Sequence, residues 1–264
     1  MNLIINGPGR SGTTLFSKLI SYQQDLAWVS GWLNKFPNLP QLSTFNFLYR
    51  QQLLGYELSE LSKFPKPAEA YNFWKFYISY FNSGYEPCEK EIYQLRKVIN
   101  DIKKFQNKKH FVTKVTGDLR ENIFDKVFTD YKLLWIERDP RVVVSSYIKQ
   151  RWFYKENLEG FNEMSTRDKI QFYCDYYLKI FNQTKPKNSK IVFYEDLCDD
   201  PIKFFENLLF ELDLKFTETH KNRIFKKDIK KVDWSNYKIK YTDEEVKLLN
   251  QLLSEPLDKY NYNK

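Results

Sequence analysis

The sequence predicts an α/β fold in three layers, with helices on both faces of a mostly parallel sheet. Three observations predict it. Residues 2–6 (Asn-Leu-Ile-Ile-Asn) are a short apolar run, followed by a glycine-bearing loop at 7–12 and an amphipathic stretch at 12–22. Residues 132–137 (Lys-Leu-Leu-Trp-Ile-Glu) repeat this order, with Asp139-Pro140 opening the next helical stretch. Residues 110–115 and 190–194 are two further short apolar runs, each ahead of a helix-length segment. Strands that alternate with helices form βαβ units, whose crossovers place the strands parallel.

Taken in order, the elements are a strand at 2–6, a loop at 7–12 and a helix at 12–22. Residues 23–109 form a long excursion punctuated by Pro37, Pro40, Pro65, Pro67 and Pro87, with aromatic helices such as Tyr71–Tyr80 between the prolines. A strand at 110–115, a helix at 117–128, a strand at 132–137 and a helix from Pro140 return the chain to the sheet. Ser165-Thr166 can open a helix on which Ile170, Tyr173, Tyr177 and Ile180 share one face. The strand at 190–194 and the helix at 201–212 complete the layered unit. Thr242-x-x-Glu245 is a capping box ahead of Val246, Leu248, Leu249 and Leu252, which predicts a C-terminal helix. At 264 residues the chain suits one domain spanning 1–264, with 23–109 expected as a helical cap and as the wall for a substrate.

The first loop carries the first chemistry. Gly7 and Gly12 have the G-x4-G spacing of a nucleotide-binding P-loop, but Thr13 stands where that motif has lysine. Glycines let the backbone approach a phosphate, and N–H groups at a helix N-terminus point at the anion. Without the lysine that reaches the β/γ-phosphates, a monophosphate end fits better than a triphosphate. The strand at 132–137 ends in Arg138, where α/β sheets present ligand-binding groups. Asp139 is a good N-cap, Pro140 suits the first helical position, and Ser146 shares a helix face with Val143.

The loop together with Arg138-(x)7-Ser146 resembles the 5′- and 3′-phosphate motifs of sulfotransferases that use 3′-phosphoadenosine 5′-phosphosulfate (PAPS). His110–Lys114 resembles that family's strand ending in lysine, and Phe193-Tyr194-Glu195-Asp196-Leu197 resembles its Tyr-Glu-Asp-Leu segment. The resemblance is strongest over residues 3–22, 110–150 and 190–214. It implies transfer of a sulfuryl group from PAPS to a hydroxyl or amine, releasing PAP. It also implies that Arg10 and Lys114 are catalytic cations. Arg10, Ser11, Gly12, Thr13 and Thr14 would bind the 5′-phosphate, Arg138 and Ser146 the 3′-phosphate, and Tyr194 would lie against adenine, with aromatic core packing as the alternative for that ring. Such transfer needs positioning and cationic donors rather than a metal.

Composition narrows the setting. No window holds about 18 consecutive apolar residues, so no transmembrane helix is expected. The chain enters strand-like sequence at Leu3 without a basic leader, and Cys88, Cys174 and Cys198 are odd in number and scattered. These features predict a cytoplasmic protein without a disulfide framework. The net charge of +8 is spread over dispersed lysines, which reads as solvated surface with some attraction for anionic ligands. The Lys226-Lys227 and Lys230-Lys231 pairs near Trp234 and Tyr237 lack a nucleic-acid reading module, so no nucleic-acid partner is expected. His110 reads as a strand-edge residue and His220 as a helix-surface one, so neither a metal cluster nor a Ser-His-Asp triad is indicated.

The general base is the gap. The family's cytosolic small-molecule enzymes carry histidine two residues after the strand lysine, where this chain has Thr116. Other members carry glutamate after the first helix, whereas residues 26–56 here contain no acid. Asp118, Glu86 and Glu89 are candidates by proximity alone. The acceptor stays open among small molecule, carbohydrate and peptide. A PAP(S)-binding protein without turnover and a P-loop kinase remain as alternatives.

Overall fold

The structure, a computed structural model, describes residues 1–53, 56–57, 65–149, 160, 163–227 and 229–262. The chain begins with β1 (Asn2–Asn6) and α1 (Thr13–Ile20), then β2 (Leu26–Trp28), α2 (Gly31–Lys35) and a 3-10 helix at Pro40–Arg50. A small ribbon, β3 (Gln52–Leu53) with β4 (Tyr56–Glu57), precedes α3 (Tyr71–Tyr77) and α4 (Glu89–Phe105). Then come β5 (His110–Lys114), α5 (Glu121–Val127), β6 (Tyr131–Glu137), α6 (Pro140–Ile148), α7 (Thr166–Phe181) and β7 (Ser189–Phe193). The helices α8 (Tyr194–Asp199), α9 (Pro201–Glu211), α10 (Glu218–Phe225), α11 (Ser235–Lys238), α12 (Asp243–Leu252) and α13 (Ser254–Lys259) complete the described chain.

The main sheet has five strands in the order β2-β5-β1-β6-β7, every pair parallel. The chain goes from β1 to the edge strand β2, returns inward to β5, and then crosses to the other side of β1 for β6 and β7, so β1 marks a switch point where α/β sheets bind ligands. Side chains alternate across the pleat. Ile4, Phe111, Leu133 and Trp135 pack on one face with α3, α4 and α5. Leu3, Ile5, Val112, Leu134 and Ile136 pack on the other with α1, α9 and α10. A third cluster joins α6, α7, α12 and α13.

Most elements lie where the pattern puts them. The capping box at Thr242 forms both of its bonds, with Glu245 N–H on Thr242 Oγ1 at 3.2 Å and Thr242 N–H on Glu245 Oε2 at 2.9 Å. Two differences have physical reasons. The helix expected from 117 starts only at Glu121, because Gly117 has φ of 77° and turns the chain away first. The excursion does more than cap: it supplies the edge strand β2 and the long helix α4 that covers one sheet face. A three-residue strand carries too little periodicity to be seen in sequence, and its pairing partner is β5, more than eighty residues on.

Trp74 shows how firmly the excursion is built in. Its side chain is fully buried, stacks on Phe81 at 5.2 Å between centroids, and donates to Thr113 Oγ1 at 3.3 Å. Trp74→Ala should therefore cost about 3–5 kcal/mol in urea denaturation, the usual scale for emptying a large aromatic site. A loss below about 1 kcal/mol would mean that the excursion contributes little to the core.

Candidate active site

The site is assembled at the carboxyl ends of three adjacent strands, β5, β1 and β6. The loop after β1 is held from both sides. Gly117 N–H donates to Gly7 carbonyl oxygen at 3.0 Å, and a Cβ on Gly7 would lie 2.4 Å from Ile136 carbonyl oxygen. Arg10 and Gly12 have φ of 68° and 93°, so the loop turns through left-handed residues that point backbone N–H groups into a concavity. Ser11 is completely buried, and its N–H and hydroxyl both return to Pro8 carbonyl oxygen, at 3.2 and 2.7 Å. Its hydroxyl braces the turn in this state. Gly12 caps α1 without any side-chain bond to the first-turn N–H groups, and Thr13 and Thr14 follow.

The two motifs read separately in the sequence touch. Arg10 Nε donates to Ser146 Oγ at 2.9 Å, and Arg138 Nη1 donates to Arg10 carbonyl oxygen at 3.3 Å. Arg138 also donates through Nη2 to Val232 carbonyl oxygen, while its Nε is buried without a hydrogen-bond partner among the described residues. A buried guanidinium N–H left over and a helix start without a side-chain cap both suit phosphate oxygens. Tyr194 lies beneath this arginine, with the guanidinium 4.2 Å from the ring centroid. The same ring presses on the loop so closely that a Cβ on Gly12 would sit 2.1 Å from Tyr194 Cδ2. Tyr194 is buried, and burial pushes its hydroxyl up to about 12.

Behind Arg138, α6 begins as expected. Asp139 accepts from Arg141 N–H at 2.9 Å and pairs with the Arg141 guanidinium at 2.7 Å. Glu195 accepts from Asp139 N–H at 3.1 Å and from Tyr262 hydroxyl at 2.9 Å. Burial holds the Glu195 carboxyl above the usual carboxylate range. These bonds tie the Tyr-Glu-Asp-Leu segment to the start of α6 and so fix the backbone that carries Arg138.

On the β5 side, Lys114 is almost wholly buried and its ammonium is shared. Nζ donates to Thr14 Oγ1 at 3.0 Å and to Glu69 Oε2 at 3.1 Å. The other Glu69 oxygen accepts from Thr116 N–H at 3.2 Å and from the Thr116 hydroxyl. Glu69 is absent from the sequence-based candidates. It stands in Pro67-Ala-Glu-Ala-Tyr71, which has no local signature, and reaches the site because residues 66–70 run along the ends of β2 and β5. Ala68 N–H bonds Val29 carbonyl oxygen at 3.1 Å, and Ala70 N–H bonds that of Lys114 at 3.4 Å. The one sequence clue was negative: Thr116 at the histidine position leaves room for a carboxylate from elsewhere.

The acids expected by proximity face other partners. Asp118 accepts from Gln183 at 3.0 Å, with Lys179 3.7 Å away. Glu86 lies on the outer surface with Asn122 and Lys126, and Glu89 is exposed in the first turn of α4. His220 is a correction: it is buried, not on the helix surface. From α10 its ring faces Phe205 of α9, and Nε2 lies 2.9 Å from the carbonyl oxygen of Leu19 in α1. His110 begins β5 at the opposite end of the strand from Lys114, away from the site.

A family model described as the sulfotransferase family matches residues 2–218. The chain belongs to that family, and it is a sulfuryl-transferring enzyme. Among solved structures, sulfotransferase STF9 from Mycobacterium avium superposes with a TM-score of 0.57 at 14% identity, covering 98% of this chain and 76% of that one. STF1 from Mycobacterium tuberculosis H37Rv gives 0.56 at 14% identity, covering 96% and 76%. Mouse sulfotransferase SULT7A1 complexed with PAP gives 0.50 at 12% identity, covering 100% and 89%. These likenesses show the α/β fold with its parallel sheet. No curated protein matches the sequence significantly. No helix among the described residues is long and apolar enough to cross a membrane.

Burial lowers His220 from 6.5 to about 4. The native state therefore holds the ring neutral where the unfolded chain binds a proton. Its contribution to stability is complete above pH 6.5 and is lost as the pH falls toward 4. Denaturation midpoints measured across this window should fall with acidification, and His220→Gln should flatten that slope. An unchanged slope in the variant would show that other groups control it.

Proposed function

We propose that this enzyme takes its sulfuryl group from PAPS, releases PAP, and uses Glu69 as the base toward an acceptor hydroxyl. The observation that supports this most is the meeting of Arg10, Lys114 and Glu69 around one glycine-bearing loop, with Arg138 and Ser146 beside it. Bound PAPS supplies an activated sulfuryl group with a phosphate as leaving group. The N–H groups of Gly12, Thr13 and Thr14 and the Arg10 side chain would hold the 5′-phosphate. Ser11 contributes by holding the turn. Arg138, through its remaining N–H groups, and Ser146 would take the 3′-phosphate, and Tyr194 supports the Arg138 guanidinium over its ring beside the adenine site.

Arg10 and Lys114 are cationic donors placed where negative charge gathers as transfer proceeds. Glu69 is held by Thr116 on one oxygen and by Lys114 on the other, so its orientation is set before an acceptor arrives. When Glu69 takes the acceptor's proton, its attraction for Lys114 falls. The ammonium then stays with Thr14, on the loop side, where charge is growing. The reason to suspect a binding protein without turnover was the missing carboxylate, and Glu69 supplies one. Thr13 in the lysine position remains the argument against a kinase.

Titration with PAP in the absence of magnesium should raise the melting temperature, and PAP should bind far more tightly than adenosine 5′-phosphate, which lacks the 3′ group. Arg138→Ala should remove most of that preference, at a cost of about 2–5 kcal/mol. Equal discrimination by both proteins would place the 3′-phosphate elsewhere.

Glu69→Gln keeps the shape and should lower turnover about 10²–10⁴-fold with little change in PAP affinity. Arg10→Ala should lower turnover about 10²–10³-fold. Near-normal turnover in either variant would refute the role given to that residue.

A further inference from the structure

We infer that the outer face of the excursion, built by α2, the 3-10 helix and α3, docks on a membrane surface rich in anionic lipid. Phe36, Phe45 and Phe76 leave 46%, 45% and 57% of their surface exposed, and contacts join them. Trp32 meets Phe45 edge to face with centroids 5.9 Å apart, and Phe36 stands one helical turn beyond Trp32. The Tyr77 hydroxyl donates to Pro37 carbonyl oxygen at 2.7 Å, and the Phe76 ring meets that of Tyr77 at 5.0 Å. Leu39, also exposed, stands between Pro37 and Pro40. Single exposed apolar side chains are ordinary, but a linked set of large ones marks a surface that something covers.

The charge of the same segments selects the partner. Residues 26–53 and 65–85 contain one acid, Glu69, and its carboxylate is turned to Lys114 and Thr116 in the active site. Their cations are Lys35, Arg50, Lys66 and Lys75. Arg50 points inward to the carbonyl oxygens of Ser21, Gln23 and Leu26. Lys35 and Lys75 are exposed beside the rings, with Lys35 Nζ 5.4 Å from the Phe36 centroid. From the neighbouring α4, Asp101 stands near Tyr77.

Aromatic side chains set among lysines match a bilayer interface. The rings enter the boundary between headgroups and acyl chains, and each lysine held near an anionic surface adds to the attraction. A second copy of the chain matches less well. A two-fold contact sets the patch against itself, so Lys35 and Lys75 would meet lysines without a free carboxylate from either segment. The face also lies near the site. Phe76 is on the same helix as Tyr71, about 7.5 Å further along its axis, and Tyr71 lines the cavity of about 420 Å³ over Glu69. Docking there brings the acceptor cavity to the lipid surface.

The test floats the full-length protein with vesicles of phosphatidylcholine alone and of phosphatidylcholine with about one-third phosphatidylglycerol. Flotation is read without turnover, so it stands or falls apart from the PAPS reading. The protein should float with the mixed vesicles, much less with phosphatidylcholine alone, and less as salt screens the lysines. Phe36→Ser with Phe76→Ser, and separately Lys35→Glu with Lys75→Glu, should each lower partitioning about tenfold or more. Lys203→Glu with Phe210→Ser, exposed on α9 at the other sheet face, should leave it unchanged. Unchanged melting temperatures show that these surface variants keep the fold. No flotation with the mixed vesicles, or equal flotation with both lipids, overturns the inference. So does an equal loss in the α9 variant, which would assign the attraction to the overall charge of +8. A wild-type dimer in sedimentation that Phe36→Ser with Phe76→Ser dissociates also overturns it, since a second copy would then cover the face.

Discussion

The parallel register of β1 between β5 and β6 is the constraint on which the site depends. Paired strands run about 4.8 Å apart, so the residues that leave their carboxyl ends emerge side by side. Ile5 pairs with Lys114 on one side and Leu134 on the other, which sets the loop after β1 between the ends of the two neighbouring strands. Three segments, carrying Arg10, Lys114 and Arg138, thereby place cations around a single loop. The loop is confined by its neighbours: Gly7 has no room for a side chain beside Ile136, and Gly12 has none beside Tyr194. The same closeness that shapes the anion cradle fixes the glycines.

Charge is organised in two tiers around that cradle. The inner tier is cationic, with Arg10, Lys114 and Arg138 directed at the loop or its immediate neighbours. The outer tier contains buried acids, which hold backbone and side chains in place. Asp139 and Glu195 secure the start of α6, and Glu137, fully buried, accepts from Trp135 at 2.7 Å. Burial keeps the carboxyls of Glu137 and Glu195 above their usual range. Glu69 differs from these acids. It faces the cavity with nearly a third of its side chain exposed, paired to a lysine that is nearly buried. That asymmetry is consistent with the base role proposed for Glu69, whose partner Lys114 stays with the loop.

How much was legible in the sequence follows from the range of each interaction. The loop 7–12, Arg138 at a strand end and the Asp139-Pro140 helix start are local features, encoded within a few residues by turn chemistry and capping, and they stand where expected. Lys114 was legible through the resemblance of His110–Lys114 to the family strand that ends in lysine, and it does end β5. His220 was misplaced because a single polar residue on an amphipathic helix looks exposed until the helix's packing partners are known. Asp118, Glu86 and Glu89 were near the motifs in sequence yet their carboxylates turn to Gln183, to Asn122 and Lys126, and to solvent. Sequence proximity does not fix side-chain direction across a turn.

The sequence by itself determined the layered α/β class, the glycine-bearing loop after β1 and the strand-to-helix turn at Arg138, because each is written in short-range spacing, strand period and helix capping. Only the tertiary structure decided that Arg10 meets Ser146, that Tyr194 supports Arg138, and that Glu69 joins Lys114 and Thr116. Those contacts span 136, 56 and 45 residues along the chain for Arg10–Ser146, Arg138–Tyr194 and Lys114–Glu69. The first two exist because β6 pairs with β1 on one side and β7 on the other, and the third because β2 slots in beside β5 and the segment at 66–70 runs across the ends of both strands. The pairing of a three-residue strand with a distant partner leaves no periodic trace in the sequence, so the carboxylate that completes the site is visible only once the chain is folded.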